Sequence, residues 1–477
     1  MLSRTKIVAT LGPATDSPAM LDKIIEAGVD VVRLNFSHEA AEQQRQRVDL
    51  LRERAEAAGR SVGVLGDLQG PKIRIGGFAA GRVQLADGAA FVIDTGLDPE
   101  AGTGERVGTT YPALANDVGP GDTLLLDDGL ISLRVEKVAG SAIHCRVLSG
   151  GELGSRKGLN RLGGGLAAAG LTDKDRADIR LAAEIGVDYL AVSFVREAAD
   201  VVAARHHFVA AGGFGGLVAK IERAEALRGV EAIIDASDAI MIARGDLGVE
   251  IGDAALPPVQ KRLIRLARER NRVVITATQM MHSMMDSPIP TRAEVFDVAN
   301  AVLEGTDAVM LSAETATGRF PDRAVAAMNR ICHQTERQAD RLACPEPQDQ
   351  TFSRIDEAIA KAAMFAANHL PVKAILALTE SGSTALWMSR VNASIPIYAL
   401  TPHPQTQRRV TLYRGVESVP FVSDTTDQTE LNRQAVTALE VRGLIEPGDL
   451  VAITKGDLIG VRGSTNALKI VRVGELV

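Results

Sequence analysis

Short apolar runs, flanked by glycine and separated by helical periodicity, recur along the chain. Most of them end on a polar or charged residue where a turn begins. Eight stand out, at residues 5–12, 31–36, 62–67, 189–194, 218–222, 240–246, 273–278 and 309–314. A continuous apolar run of this length reads as a parallel strand buried on both faces. Eight of them alternating with helices predict an α/β chain built on a (β/α)8 barrel, whose chemistry gathers at the strand C-termini. That expectation brings Arg33, Asp67, Lys220, Glu222, Asp246 and Thr278 toward one mouth.

The alternation is interrupted once. Residues 1–70 give three β/α units, with helices expected over 19–27 and 40–58. From about 73 to 166 no long helical period occurs. Short β-like runs at 82–85, 90–93, 123–126, 131–138 and 142–147 alternate instead with turns such as Asp87-Gly88 and Asp128-Gly129. This predicts a small antiparallel β unit inserted after the third barrel strand, with Gly163-Gly164-Gly165 as a hinge at its return. Barrel alternation resumes near Leu171 and runs to about Ile331. After a linker-like stretch, helices at 355–370 and 428–442 and strands at 374–379, 397–400, 418–422, 450–454 and 468–473 predict an open α/β unit. The expected division is a barrel over 1–70 and 168–345, an insert over 71–167 and a C-terminal unit over 346–477.

Composition narrows the function classes. With 477 residues the chain has room for several cores. A net charge of −7 lacks the basic footprint of broad nucleic-acid binding. Three scattered cysteines, Cys145, Cys332 and Cys344, suit a reducing compartment and no structural zinc. No apolar stretch approaches the roughly 18 residues of a membrane span, and Met1-Leu-Ser-Arg-Thr-Lys6 leads straight into a strand. A cytoplasmic enzyme is the expectation, with no nucleic-acid or membrane partner.

Candidate chemistry sits at the strand ends. Lys220 and Glu222, two apart in a strand, point the same way. Two carboxylates converging in one mouth, Glu222 and Asp246, repel unless a cation lies between them, and Mg²⁺ commonly takes one or two carboxylates plus substrate oxygens. Ordinary ion pairing at strand ends is the alternative. Arg244-Gly245-Asp246-Leu247-Gly248 either offers backbone N–H groups to an anion or uses glycine for a tight turn. Arg33 suits bidentate phosphate contact, or a salt bridge to the next strand. His38 alone reads as a surface histidine, Lys157 as a solvated basic loop, and the methionines of 280–285 as packing.

Taken in order, Arg33-Leu-Asn-Phe-Ser-His38, Val218-Ala-Lys-Ile-Glu222, Ala243-Arg-Gly-Asp-Leu-Gly-Val-Glu250, Ile275-Thr-Ala-Thr-Gln-Met280, Pro290-Thr-Arg-Ala-Glu294 and Gly305-Thr-Asp-Ala-Val-Met-Leu-Ser312 closely resemble the pyruvate kinase family. The likeness covers essentially the whole chain. It implies a catalytic barrel, an inserted small β-barrel domain acting as a lid, a C-terminal regulatory domain and a homotetramer. It also implies phosphoryl transfer from phosphoenolpyruvate to ADP, giving pyruvate and ATP, with Mg²⁺ or Mn²⁺. By this resemblance Glu222 and Asp246 hold the metal. Gly245, Asp246 and Thr278 bind the substrate carboxylate. Lys220 neutralises the moving phosphoryl group, and Arg33 binds phosphate. Asn35, Phe36, Ser37, His38, Arg74 and Lys157 match nucleotide contacts, while Ser312 and Glu314 match a network near the site that serves the enolate proton.

One string departs from the family's pattern. Many members read Thr-Lys-Gly-Pro-Glu-Ile-Arg after the third-strand aspartate and require K⁺. Here Asp67 is followed by Leu68-Gln-Gly-Pro-Lys72-Ile-Arg74. A lysine ammonium in place of the acid can supply a monovalent ion's charge and repel K⁺. K⁺ independence is therefore expected, although Asn35, Ser37 and Asp67 of the pocket remain, with Leu68 standing where the family's threonine does. The competing reading turns Lys72 to solvent. In the C-terminal unit, Thr379, Ser381, Gly382, Ser383 and Thr384 match a loop that binds a phosphorylated small-molecule effector, or they simply cap a helix. Two other functions compete: a Mg²⁺-dependent aldolase or lyase acting on enolates, and a non-catalytic effector-binding paralogue. The first needs neither the insert nor Arg33 with Lys220, and the second expects loss of Lys220, Glu222 or Asp246.

Overall fold

Eight parallel strands close into a barrel in chain order in the computed structural model: Lys6–Thr10, Val31–Asn35, Gly63–Asp67, Tyr189–Val192, Gly216–Ile221, Ala239–Ala243, Val273–Ala277 and Ala308–Leu311. The structure describes residues 3–37, 39–166, 170–339, 352–391, 394–457, 461 and 463–475. Each predicted apolar run holds a strand, shortened at its C-terminal end wherever the polar residues leave the sheet. The clearest case follows the sixth strand. Residues 244–246, read as strand, instead start the helix Arg244–Ile251 without an intervening loop. Every barrel strand is buried along most of its length because helices cover one face and side chains fill the other.

The barrel floor is organised by four aspartates, each one residue ahead of an even-numbered strand. Asp30, Asp188, Asp238 and Asp307 accept from the backbone amides of Ile7, Val64, Leu217 and Val274 on the neighbouring odd-numbered strands, at 2.8–2.9 Å. Each carboxylate also meets a cation. Lys6 serves Asp30, while the C-terminal unit supplies Arg408 to Asp188, Arg409 to Asp238 and Arg390 to Asp307. An apolar cluster runs through this floor, from Leu65, Tyr189 and Met241 inside the barrel to Met364, Val410 and Tyr413 outside it. The unit is therefore anchored to the end of the barrel opposite the mouth.

Between the third and fourth barrel strands, the insert forms a six-stranded sheet and a two-stranded one around a shared core that includes Phe91, Ile93, Leu133 and Leu153. Three short strands had no sequence signal: Arg106–Val107, Gly151–Gly154 and Leu159–Arg161. The C-terminal unit has a five-stranded sheet in which the last strand, Thr465–Arg472, runs antiparallel to its neighbour. Among the described residues no helix is long and apolar enough to cross a membrane.

Candidate active site

The strand ends carry the charged groups into one mouth because a barrel strand alternates its side chains between the interior and the surrounding helices. Arg33 lies two residues before the end of the second strand, Asp67 ends the third and Ser193 follows the fourth. Lys220 is the penultimate residue of the fifth strand, and Glu222 follows its end. Asp246 lies in the first turn of the helix after the sixth, and Thr278 follows the seventh.

Lys220 is the hub. Its ammonium lies 2.9 Å from Glu222 Oε1 and 3.2 Å from Asp67 Oδ1, and donates to Ser193 Oγ at 2.7 Å. Asp67 turns its other oxygen to Arg33 Nε at 2.6 Å, and Arg33 Nη1 reaches Thr10 Oγ1 at 3.3 Å. Glu222 Oε2 accepts from the Phe194 amide at 2.7 Å. Burial works against the Lys220 ammonium, yet the Asp67 and Glu222 carboxylates overcome it and hold its pKa above the usual lysine value. Burial likewise opposes ionisation of Asp67, but Lys220 and Arg33 hold its carboxyl below the ordinary range. Glu222 is pushed upward, chiefly by burial, with Lys220 opposing and the Asp246 charge adding to the rise.

That last repulsion bears on the metal. Two hard carboxylates within electrostatic reach in a buried mouth suit a divalent cation that completes its shell with substrate oxygens and water. Among the described residues no group of three or more His, Cys, Asp or Glu could hold an ion by itself. Asp246 has a partner here that the sequence reading did not foresee: Lys72 Nζ stands 3.2 Å from Asp246 Oδ1. Lys72 therefore turns to a carboxylate of the mouth rather than to solvent alone. Two members of the expected monovalent-ion pocket are also engaged, since Asp67 is shared by Arg33 and Lys220 and the Leu68 carbonyl accepts from Ser193 Oγ at 2.7 Å.

The loop after the seventh strand is strained. Thr278 and Gln279 adopt φ of 69° and 56°, which a β-branched residue such as threonine rarely accepts. Arg244 holds this turn, donating to the Thr278 carbonyl at 2.8 Å and forming a double ion pair with Asp297. The Gly245 amide, expected to face a substrate carboxylate, donates to Thr278 Oγ1 at 2.7 Å. Glu314, expected near the enolate proton, spends both oxygens on the Ser312 and Met281 amides. It braces the eighth-strand end against the strained loop, and Ser312 stands beside it.

Other candidates lie apart from the hub. Asn35 Oδ1 accepts from the Ser37 amide at 3.1 Å. Phe36 is buried against Gly66, where an added Cβ would come within 2.8 Å of its ring, so only its backbone can face a nucleotide. Arg74 and Lys157 stand on the insert, bonded to the Arg156 carbonyl at 3.0 Å and to Asp127 at 2.9 Å. His38 lies outside the described residues. Sequence reasoning missed Ser193 as a hydroxyl hub, since a lone serine at a strand end carries no signal.

A cluster near the mouth holds the returning arm of the insert. Glu250, on the same helix as Asp246, accepts from the Ala224 amide at 2.8 Å and from Asn160 Nδ2 at 3.4 Å, and its carbonyl takes the Gly163 amide. Arg223 donates to the Leu166 carbonyl at 2.6 Å, and Glu225 accepts from Gly165. Burial pushes the Glu250 carboxyl up to about 7, against the opposing Ala224 amide and Arg223 charge.

In the C-terminal unit, Thr379, Ser381, Ser383 and Thr384 line an open cavity with Lys455, Gly456, Ser464 and Thr465. Gly382 holds φ +82, and its amide donates to Thr379 Oγ1 at 2.9 Å. Thr384 and Thr465 share a hydrogen bond at 2.9 Å. The second wall was missed, although Lys455-Gly456 and Gly463-Ser464-Thr465 repeat the small polar chemistry of the first.

Comparison with known proteins agrees along the chain. A family model described as pyruvate kinase, barrel domain, matches residues 2–325, and one described as pyruvate kinase, alpha/beta domain, matches 357–471. Pyruvate kinase II of Salmonella typhimurium is 52% identical over 476 residues, 99% of each chain. The pyruvate kinase of Buchnera aphidicola subsp. Schizaphis graminum is 50% identical over 474 residues, 98% of each chain. That of Haemophilus influenzae is 50% identical over 460 residues, covering 95% of this chain and 96% of its own.

The raised Glu250 pKa carries a sign. Between its ordinary 4.5 and about 7 the unfolded chain has released a proton that the folded chain still holds. Stability on this account is full below 4.5 and declines as pH rises through 7, by at most about 3 kcal/mol. Glu250→Gln, neutral throughout, is expected to flatten the fall in melting temperature from acid to neutral pH. Equal slopes in the two proteins would remove Glu250 as the cause.

Proposed function

The chain belongs to the pyruvate kinase family and is an enzyme of it, and on that premise we propose that its barrel mouth transfers the phosphoryl group of phosphoenolpyruvate to ADP, giving pyruvate and ATP. The observation that carries this reading is the Lys220 ammonium, fixed among Asp67, Glu222 and Ser193 beside the second carboxylate, Asp246. Phosphoryl transfer through a loose transition state spreads charge over equatorial oxygens, so catalysis consists of positioning and preplaced positive charge. Lys220 supplies that charge from a buried site whose anchors keep it protonated, and Arg33, oriented by Asp67 and Thr10, presents its remaining N–H groups to phosphate. Glu222 and Asp246 would hold Mg²⁺ or Mn²⁺, which supplies Lewis-acid polarisation of substrate oxygens when bound. Thr278, held in its strained turn by Arg244, and Ser312, held by Glu314, are assigned to the carboxylate and enolate side. Asn35, Ser37, Arg74 and Lys157 are assigned to the nucleotide. The insert is assigned as a lid, which would bring Arg74 and Lys157 toward the mouth on closing.

Lys220→Met is expected to lower turnover by at least ~10²-fold, the scale of losing one preorganised donor, with divalent-metal binding largely kept. Near-normal turnover in that variant would refute the assignment.

We assign K⁺ independence to Lys72, whose ammonium adds positive charge to the mouth, 3.2 Å from Asp246 Oδ1. Turnover is expected to be equal in potassium and tetramethylammonium chloride; strong activation by K⁺ would defeat it.

The cavity at Thr379–Thr384 is assigned to a phosphorylated effector. Its support is the ring of hydroxyls with the Lys455 ammonium. Fructose 1,6-bisphosphate, ribose 5-phosphate and AMP are the probes, and at least one is expected to shift the phosphoenolpyruvate saturation curve. No shift with any of them reduces the loop to a helix cap.

A further inference from the structure

Both crossings between barrel and insert are fastened to one short helix. The outgoing and returning crossings pair as a ribbon: the Ile75 amide donates to the Lys157 carbonyl and the Leu159 amide to the Ile73 carbonyl, each at 2.9 Å, and Arg74 bridges Gly158. The outgoing side meets the helix Arg244–Ile251 through Lys72 and Asp246. One turn further along that helix, Glu250 takes the returning side through Asn160 and the Gly163 amide. The Lys72 stem crosses the ribbon, its Cε lying 3.4 Å from where a Cβ on Gly158 would stand. A crevice of about 310 Å³ lined by Lys72, Ile73, Leu159, Arg223 and Glu250 separates the ribbon from the barrel.

The two fastenings differ in kind. Glu250 is deeply buried and bonded to backbone, whereas Lys72 and Asp246 keep about a quarter of their side-chain surface in solvent. A partly solvated single ion pair is a weak tie. It also ends on one of the two carboxylates assigned to the metal. A dication outcompetes an ammonium for a carboxylate pair, because its charge is doubled and both acids act on it together.

We propose that Lys72 is a positioning residue coupling the divalent cation to the lid: it holds Asp246 while the cation is absent and yields that carboxylate when the cation binds. Loading then loosens the paired ribbon at 72–75 and 157–160, while Glu250, through the Gly163 amide, keeps the foot of the returning crossing in place as the pivot. This rests on the assignment of Glu222 and Asp246 to the metal.

The test uses the full-length protein with Mn²⁺ alone as the probe. Binding is followed by the electron paramagnetic resonance of the free ion, and amide hydrogen exchange is read at residues 72–75 and 157–160. In the unmodified enzyme, Mn²⁺ is expected to speed exchange in both stretches. Lys72→Met, or Lys72→Gln should the first not fold, is expected to bind Mn²⁺ about two- to fivefold tighter. Its exchange in both stretches is expected to be fast with or without the ion. Lys72→Arg, which keeps the charge, is expected to retain the response. Unchanged or weaker Mn²⁺ binding in Lys72→Met, or exchange that still responds to the ion there, overturns the coupling and leaves the metal assignment standing. Mn²⁺ binding that survives Glu222→Gln intact overturns the metal assignment instead, and the coupling with it.

Discussion

A lysine ammonium sunk among two carboxylates and a serine hydroxyl at the barrel mouth sets the terms for everything around it. Placing Lys220, Asp67 and Glu222 out of water costs several kcal/mol per ion, recovered only where geometry is good and the remaining lone pairs find donors. Here they do. Asp67 is closed by Arg33, and Glu222 by the Phe194 amide. Repulsion between Glu222 and Asp246 persists within this set and adds to the burial that raises the Glu222 pKa. A charge so held needs no reorganisation to meet charge that develops beside it, which is what the proposed phosphoryl transfer asks of it.

Such a network demands a frame that does not give way. The floor supplies it with four aspartates, which tie alternate strands together and recruit arginines from the C-terminal unit. The loop at Thr379–Thr384 opens the helix Ser383–Ser389, which leads directly to Arg390, and the Glu380 carbonyl accepts from Thr406, two residues before Arg408. The proposed chemistry at the mouth and the proposed ligand site beyond the floor therefore lie at opposite ends of the barrel.

The insert is attached at the mouth through the helix Arg244–Ile251, which also carries Asp246. Local strain belongs to the same region. Thr278 and Gln279 hold left-handed backbone, and Thr278 is pinned there at its carbonyl by Arg244 and at its hydroxyl by the Gly245 amide. Segments under such constraint have few alternative conformations, which suits groups that must meet a substrate without first rearranging.

Periodicity determined the architecture: eight apolar runs, one β-rich interruption and a terminal α/β alternation are local patterns that burial imposes on any such fold. The same runs put Arg33, Asp67, Lys220 and Glu222 at or near strand ends and Asp246 in the helix turn that follows one, and motif resemblance supplied their assigned roles. Short strands such as Leu159–Arg161 escaped because they are shorter than a period can reveal. Which carboxylate each cation chooses was decided only in three dimensions. Lys72 meets Asp246 across 174 positions of sequence, Ser193 meets Lys220 across 27, and Arg390 meets Asp307 across 83. Charge pairing depends on distance through space, and sequence spacing constrains that only within a single helix or strand.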